Sequence, residues 1–379
     1  MCGVWRVAVI CYRFPLIGVL FIALPLLLIS SNAFAQSSEL SVASQATARS
    51  ILDAVSQNEN GLIAGEVHGS TSGAGTVGAG AFSSGRLKTS AHGGLSIRDI
   101  VLLPGEAPGV KTFAYTTDEA SVFANVVATV PGTVLGGQLK FSGFVGYNWL
   151  SLQLKSNAVK VLDPDQSGSA DNGSVIVGGT ALWSMRSSYA LATIVGTWGE
   201  TKLVDKIDDC GNSGCITHRY AFDTSGFIGK VTAGNVFALS ASPSGPKLDV
   251  RGSVGYTRHN SESFLSFSGN EFKVNFATWT GTAAVTLFAN LAMPNNAVLR
   301  PYVQGYVRQE FGYNHKLAFT ENQGPSSLTA YEQSHTYPGL DAGLTYTFQN
   351  MTLGGSLYFE GSADEHTLGG RVSASWKLN

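Results

Sequence analysis

The stretch Leu368-Gly-Gly-Arg-Val-Ser-Ala-Ser-Trp-Lys-Leu378 alternates almost without error. Val372, Ala374, Trp376 and Leu378 fall on one face, and Arg371, Ser373, Ser375 and Lys377 on the other. Successive side chains of a strand point to opposite faces, so this segment is apolar on one side and polar or charged on the other. The pattern recurs upstream. Leu248, Val250, Gly252, Val254 and Tyr256 oppose Asp249, Arg251, Ser253 and Thr257. Leu340, Ala342, Leu344, Tyr346 and Phe348 oppose Asp341, Gly343, Thr345 and Thr347. Trp279, Ala283, Val285, Leu287 and Leu291 oppose Thr278, Thr280, Thr282, Thr286 and Asn290. A soluble sandwich shows the same alternation, so the choice of fold rests on what surrounds these strands.

The start of the chain sets the compartment. Arg6 and Arg13 form a short basic region, an apolar run from Phe14 to Ile29 follows, and Ser30-Ser-Asn-Ala-Phe-Ala35 precedes Gln36. Ala33-Phe-Ala35 has the small-x-small form of a signal-peptidase site, which predicts a signal peptide over 1–35 cleaved after Ala35. The competing reading, an uncleaved anchor, needs a longer span. No later apolar run approaches the length of a membrane helix, which excludes a helical membrane protein but not a barrel, whose strands hide their apolarity in alternation. Cys2 and Cys11 leave with the signal. Cys210 and Cys215, in Asp209-Cys-Gly-Asn-Ser-Gly-Cys215, are expected to form a local disulfide in an exported chain.

Composition points the same way. The chain carries 24 basic and 26 acidic residues, a net charge of −2, so nothing suggests a nucleic-acid partner. Charged residues make up 13 %, about half the usual share of roughly 25 %, as a large lipid-facing surface requires. The 45 glycines fit tight turns and close strand packing.

Along the chain, Ser38 to Gln57 reads as a slim helix, with Leu40, Ala43, Thr47, Ile51 and Val55 at three-to-four spacing. Asn58-Glu-Asn-Gly61 is expected to end it, Gly61 serving as a left-handed cap. The helical segment, a possible pore plug, is assigned to 36–60. Residues 61–110, rich in Gly and Ser, read as a flexible segment or vestigial passenger. Residues 111–136 read as an uncertain linker, because Val122-Phe-Ala-Asn-Val-Val-Ala-Thr-Val130 fits a strand or a short helix.

From 137 to 379 the pattern is all-β. About twelve strands are expected, near 137–155, 173–184, 187–203, 216–230, 232–242, 247–259, 262–274, 276–292, 298–319, 328–348, 350–361 and 367–378. Alternation is poorer in 187–203, where both faces are partly apolar. Outer-membrane barrels have short periplasmic turns and longer outer loops. With both termini inside, the long connections near 156–172, 204–215 and 320–327 all fall on the outer side. Short joins at 184–187, Val231-Thr232 and Gln349-Asn350 fall on the inner side. Trp149, Trp279, Tyr302, Tyr346, Tyr358 and Trp376 are candidates for interfacial girdles. The fold expected is an antiparallel transmembrane β-barrel of about twelve strands, preceded by a helix and a Gly-rich segment.

At Leu299-Arg-Pro-Tyr-Val-Gln-Gly-Tyr-Val-Arg-Gln-Glu-Phe311 the chain resembles the translocator barrel of the autotransporter family. Tyr337-Pro-Gly-Leu-Asp-Ala-Gly-Leu344, Leu353-Gly-Gly-Ser-Leu-Tyr-Phe-Glu-Gly361 and the last strand are similar to it as well. The resemblance covers roughly 137–379 and is strongest from Leu248. It implies a twelve-stranded barrel with a helix through the pore, joined to an exported passenger. It also implies outer-membrane lipid, periplasmic chaperones and the barrel-assembly machinery as partners, and a monomer. Two departures stand out. The chain ends in Leu378-Asn379 where the family usually ends in an aromatic residue, and the passenger is nearly absent.

No catalytic constellation emerges: the histidines are dispersed, and there is no Gly-x-Ser-x-Gly elbow, His-Glu-x-x-His or Walker loop. Asp364, Glu365 and His366 are adjacent near an expected outer turn, and Asp163-Pro-Asp-Gln-Ser-Gly-Ser-Ala-Asp171 partly resembles a calcium loop without its terminal glutamate. Both read as solvated loops, and neither a cofactor nor a metal is expected. The stronger constellation is the set of charges off the apolar face: Asp249, Arg251, Arg308, Glu310, Asp341, Glu360, Arg371 and Lys377. In a barrel these face the lumen and pair across it or contact a plug. The expected function is translocation or display of a short N-terminal segment at the cell surface. The alternatives are a small porin-like or structural barrel without cargo and, from a different class, an outer-membrane enzyme.

Overall fold

The computed structural model describes residues 43–68, 80–81, 87–102, 113–155, 167–207, 216–242, 244–265, 271–321, 324–329, 336–362 and 365–378. The expected signal peptide, the Cys210–Cys215 pair and the acidic residues 163–166 lie outside them.

Twelve long strands form one closed antiparallel sheet. They are β1 (Leu87–Leu102), β2 (Phe113–Thr129), β3 (Gln138–Lys155), β4 (Ser167–Met185), β5 (Ser188–Ile207) and β6 (Ile216–Ala238). The second half comprises β7 (Lys247–Ser261), β8 (Glu271–Phe288), β9 (Val298–Glu321), β10 (Thr336–Phe348), β11 (Met351–Gly361) and β12 (Glu365–Leu378). Each pairs with the next, and β12 closes on β1 along the whole run from Thr89 to Leu102. Short ribbons such as Phe264–Leu265 and Gly324–Thr329 extend individual hairpins.

The sheet is inside-out relative to a soluble protein. Leu95, Ile97, Ile194, Trp198, Val231, Leu357, Leu368 and Val372 are all more than half exposed and point outward. Thr117, Asn148, Ser174, Thr201, Thr257 and Thr278 are buried and point inward. An apolar outer belt around a polar interior is the arrangement a bilayer demands of a barrel, since closure pairs the backbone and lipid takes the apolar face. Among the six aromatic residues expected at interfaces, Trp149, Trp279, Tyr346 and Trp376 face outward. Tyr358 is instead buried in the lumen, and Tyr302 turns its hydroxyl inward to Asp341.

The barrel begins earlier than its periodicity suggests. β1 and β2 occupy residues expected to be a flexible segment and a linker. β1 lacks large apolar residues only from Lys88 to Gly94, and there its order comes from its ladder with β12 and from contact with Gln57 at Gly94. β2 is ambiguous in sequence because both its faces are apolar: Val122 and Val126 face out while Phe123 and Val127 face in. Conversely, 216–230 and 232–242 are one strand, and 262–274 and 276–292 yield a single long one. Lys230, which mimics a turn, points into the lumen, and Asn275 sits mid-ladder between Asn260 and Lys316. Two strands missed and two split leave the total at twelve. The first split also reverses the inferred direction of 247–259, and the second restores it. The real connections keep part of the asymmetry: 103–112, 156–166, 208–215, 262–270 and 322–335, with the short 362–364, join strands at one end, hereafter the long-loop end. The two-residue turns 186–187 and 349–350, with Arg186 and Gln349 at positive φ, join strands at the other, together with the connections 130–137, 239–246 and 289–297.

Glycine lets the wall pack closely. Gly339 lies opposite Tyr306 and Gly369 opposite Tyr358, and an added Cβ at either would fall inside the facing ring. Phe123 covers Gly146, and Phe144 covers Gly178, in the same way. Gly312, at φ 59°, accommodates the bulge where β9 slips against Ala277–Trp279 of β8.

A helix, α1 (residues 43–63), runs through the lumen and ends in a π-helical stretch, Ala64–His68. It is longer than expected at its end. Gly61 lies within it rather than capping it, a cost of about 1 kcal/mol offset by the burial of Ile63 and Val67 beyond. Ala43, Thr47, Ile51 and Val55 form its buried face, as their spacing suggests. Leu40 and the helix start at 38 lie outside the described residues.

Candidate functional site

The candidate site is the lumen and the helix that fills it. Three apolar layers fix the axial position of α1. Ala43 and Ala46 pack with Tyr115, Leu150, Leu152 and Phe272, all near the long-loop ends of their strands. Ile51, Ala54 and Val55 meet Phe123, Phe144, Ile176, Val195 and Ile228 at mid-height. Ile63 and Val67 pack with Leu182, Tyr189, Leu191, Val236 and Phe288 at the short-turn end. The N-terminus of α1 therefore points to the long-loop end and its C-terminus to the short-turn end, from which the chain enters β1. At about 1.5 Å per residue, 43–68 spans roughly 39 Å, enough to traverse the barrel.

Polar contacts set the rotation of the helix. On β3 alone, Lys140 pairs with Glu66, Asn148 Nδ2 donates to Ser50 Oγ at 2.9 Å, and Leu152 joins the layer around Ala43. From β6, Lys230 Nζ donates to Glu59 at 2.7 Å and to Ser56 at 3.2 Å. Arg300 on β9 donates to the carbonyl of Ala64 at 3.3 Å, one of the C-terminal carbonyls a helix end leaves in need of a donor. His68 Nε2 donates to Asp249 at 3.0 Å and stacks on Phe288, with centroids 4.4 Å apart.

The lumen-facing candidates fall into tiers. Near the long-loop end, Arg308 pairs with both Glu310 and Glu360 and lies 4.3 Å over the Tyr337 ring. Arg49 of the helix joins this tier, donating to the Tyr337 hydroxyl at 2.8 Å and approaching Glu310 at 3.6 Å. At mid-height Arg371 donates to Asp341 at 3.1 Å and lies 3.9 Å over the Tyr358 ring. At the short-turn end Asp249, fully buried, accepts from Tyr189 at 2.9 Å and from His68, with Arg251 4.0 Å away. Arg251 donates to Gln304 at 2.6 Å. Lys377 is paired with Ser90 in the ladder, and its side chain lies outside the described residues. The structure thus brings seven of the eight into networks that either brace the wall or hold the helix. Charges removed from water need such partners, since an unpaired one is costly.

The helix sits off-centre. Its apolar face lies against β2–β6, and on its other side a cavity of about 180 Å³ separates it from β6–β12. That cavity is bordered by Asp53 and Glu59 of the helix and by Lys230, Arg251, Arg308 and Glu360 of the wall. Lys140, Lys230, Arg300, Tyr189 and Tyr337 were not singled out in sequence. The rule applied to the C-terminal strands, a charge standing off the apolar face, picks out Lys140 between Leu139 and Phe141 once β3 is assigned.

Among the described residues no group of three or more His, Cys, Asp or Glu is placed to hold a metal ion. Of the Asp364–His366 trio, only the side chain of His366 is described; it is exposed on the outer face beside Phe359.

No protein-family model matches the chain, and no curated protein matches it in sequence. Solved structures do. The β-domain of the Bordetella autotransporter BrkA matches with a TM-score of 0.54 at 15 % identity, over 76 % of this chain and 99 % of that one. The transport unit of the autotransporter AIDA-I from Escherichia coli gives 0.51 at 9 % identity, over 77 % and 90 %. The translocator domain of the autotransporter NalP from Neisseria meningitidis gives 0.51 at 12 % identity, over 76 % and 88 %. At these identities the likeness is one of fold: a closed twelve-stranded barrel of the outer-membrane, autotransporter-translocator type.

Proposed function

We propose, taking the autotransporter-translocator fold as premise, that this protein is an outer-membrane barrel that carries its own N-terminal segment through its lumen and presents it at the cell surface. The observation that carries this reading is the polarity of α1. Long loops mark the outer side of such barrels, and the N-terminus of α1 lies at that end. On this reading the segment ahead of Ala43 is the one presented outside, and β1 begins at the opposite end of the barrel. The displayed segment is then not 61–110, much of which is helix end and wall, but the residues ahead of 43. After display the helix stays as a plug, held by the three apolar layers and by the Lys140–Glu66, Lys230–Glu59 and His68–Asp249 pairs. Expected partners are outer-membrane lipid and the assembly machinery of the envelope. The neighbours in fold are translocators, which favours a non-enzymatic role.

The test is surface labelling of intact cells carrying an epitope tag either at Ser37 or at Ser72. Exposure of the Ser37 tag alone, in a protein that shows heat-modifiable gel mobility, supports the reading. Exposure of the Ser72 tag with the Ser37 tag protected would refute it. A porin-like role is the second reading, favoured by the polar cavity beside the helix, and it calls for ion conductance in the intact protein.

A further inference from the structure

Three of the polar anchors of α1 fall in its last five residues, Ala64–His68, which are wound as a π-helix. Such turns are rare and gather at functional sites. Here Glu66 pairs with Lys140 of β3, His68 donates to Asp249 of β7, and the Ala64 carbonyl accepts from Arg300 of β9. The wall thus holds the helix end from three sides. The groups are withdrawn from solvent: Asp249 is fully buried, and Glu66, Lys140, Lys247 and Arg300 are buried around it. The cavity beside α1 stops short of them. It is bordered from Arg49 and Arg308 down to Ile63 and Arg251, and not by Glu66, His68, Lys140, Asp249 or Arg300.

The charges at this end do not balance. Among the described residues, four permanent cations, Lys140, Lys247, Arg251 and Arg300, stand with two carboxylates, Glu66 and Asp249. Lys247 is within electrostatic reach of Arg300, and Arg251 and Arg300 are within reach of His68. The remaining elements packed here add no charge: Leu182 of β4, Tyr189 and Leu191 of β5, Val236 of β6, Phe288 of β8 and Tyr302 of β9. The next ion pairs up the lumen, Lys230–Glu59 and Arg371–Asp341, are each one to one. The partial negative charge of the helix C-terminus offsets part of the excess, through the bond from Arg300 to Ala64. Protonating Glu66 and Asp249 removes both carboxylates, and charging His68 adds a fifth cation. His68 stacks on Phe288, the ring that the Arg300 guanidinium also faces, at 5.6 Å. Buried cations stripped of their partners are strongly unfavourable, and repulsion then acts between the wall and the helix end.

We propose that the π-helical end of α1 is an acid-released latch, which closes the inner mouth while Glu66 and Asp249 are ionised and opens an ion passage beside the helix once they are protonated. The proposal rests on the reading of the chain as a membrane barrel plugged by α1. The sign follows from the carboxylates: the latch holds at neutral pH and is lost as the pH falls.

The experiment records the conductance of the full chain in planar phospholipid bilayers as the pH is lowered. Wild type is expected to conduct little at neutral pH and to show a reversible, several-fold rise as the pH passes into and below the ordinary carboxylate range, about 4. Asp249→Asn conducts several-fold more than wild type already at neutral pH. Glu66→Gln does the same through the other carboxylate, and serves if Asp249→Asn fails to assemble. Lys247→Met, which removes one of the opposing cations, moves the opening to lower pH. Assembly of each variant is checked by its heat-modifiable gel shift. Wild-type conductance that does not change with pH would overturn the latch and leave the barrel intact, as would closed Asp249→Asn and Glu66→Gln channels at neutral pH or an opening that Lys247→Met leaves unmoved. Loss of the gel shift in the wild-type chain would overturn the barrel reading and the latch with it.

Discussion

Replacing Gly339 by alanine tests whether the lumen wall is built by laying aromatic rings across glycines. Gly339 on β10 is directly opposite Tyr306 on β9, and a Cβ there overlaps the Tyr306 ring. That ring is hemmed in by the charged tier at Arg308, Glu360 and Asp53, so relief requires moving the side chain or parting the strands. Overpacking of this kind costs about 1–3 kcal/mol. Gly255→Ala is the matched control. It too faces the lumen, but its added Cβ meets only ordinary contacts, 3.4 Å from the Gly229 carbonyl oxygen and 3.5 Å from Lys230 Cγ. There the smaller entropy of the unfolded chain makes the change neutral or stabilising, by up to about 1 kcal/mol. The assay is equilibrium urea unfolding of the vesicle-inserted protein, read by gel mobility and tryptophan fluorescence. A cycle with Tyr306→Ala isolates the overlap, which appears as a coupling of about 1–3 kcal/mol that relieves the glycine substitution. Gly339→Ala within about 0.5 kcal/mol of Gly255→Ala, the spread of uneventful surface changes, would refute the argument.

Arg308→Met strips Glu310 and Glu360 of their shared partner; its side chain is 15 % exposed beside a polar cavity, so the penalty is expected near the low end of buried-pair values, about 2–4 kcal/mol. The same unfolding assay reads it, and adding Glu360→Gln should recover part of the loss. Deleting residues 43–68 removes the plug from a barrel too wide to be filled by its own side chains. Single-channel recording is expected to show a several-fold higher conductance than the intact protein, whereas equal conductance would mean that the helix does not occlude the lumen.

Much of the wall was legible in sequence, and the illegible parts share one cause. β7, β10, β11 and β12 alternate cleanly because one face meets lipid and the other meets polar lumen. β2 and β5 do not, because their inward faces meet the apolar side of α1: Phe123 on one, Leu191 and Val195 on the other. A strand apolar on both faces reads as ambiguous, yet here that ambiguity is the imprint of the plug. The lumen charges on β7 and β9–β12 were found by their position off the apolar face. Their partners were not, because a one-dimensional pattern gives the face of a residue and not what stands across the lumen from it.

Sequence alone determined the strand alternation, the low charge and the helix face at Ala43, Thr47, Ile51 and Val55. All of these are local periodicities or sums over composition. Tertiary structure alone decided that the barrel begins at Leu87 and that α1 lies inside it with its N-terminus at the long-loop end. Those features depend on pairings far apart in the chain: β1 with β12, Arg49 with Tyr337, His68 with Asp249. Closure, unlike alternation, is a property no short stretch of residues possesses.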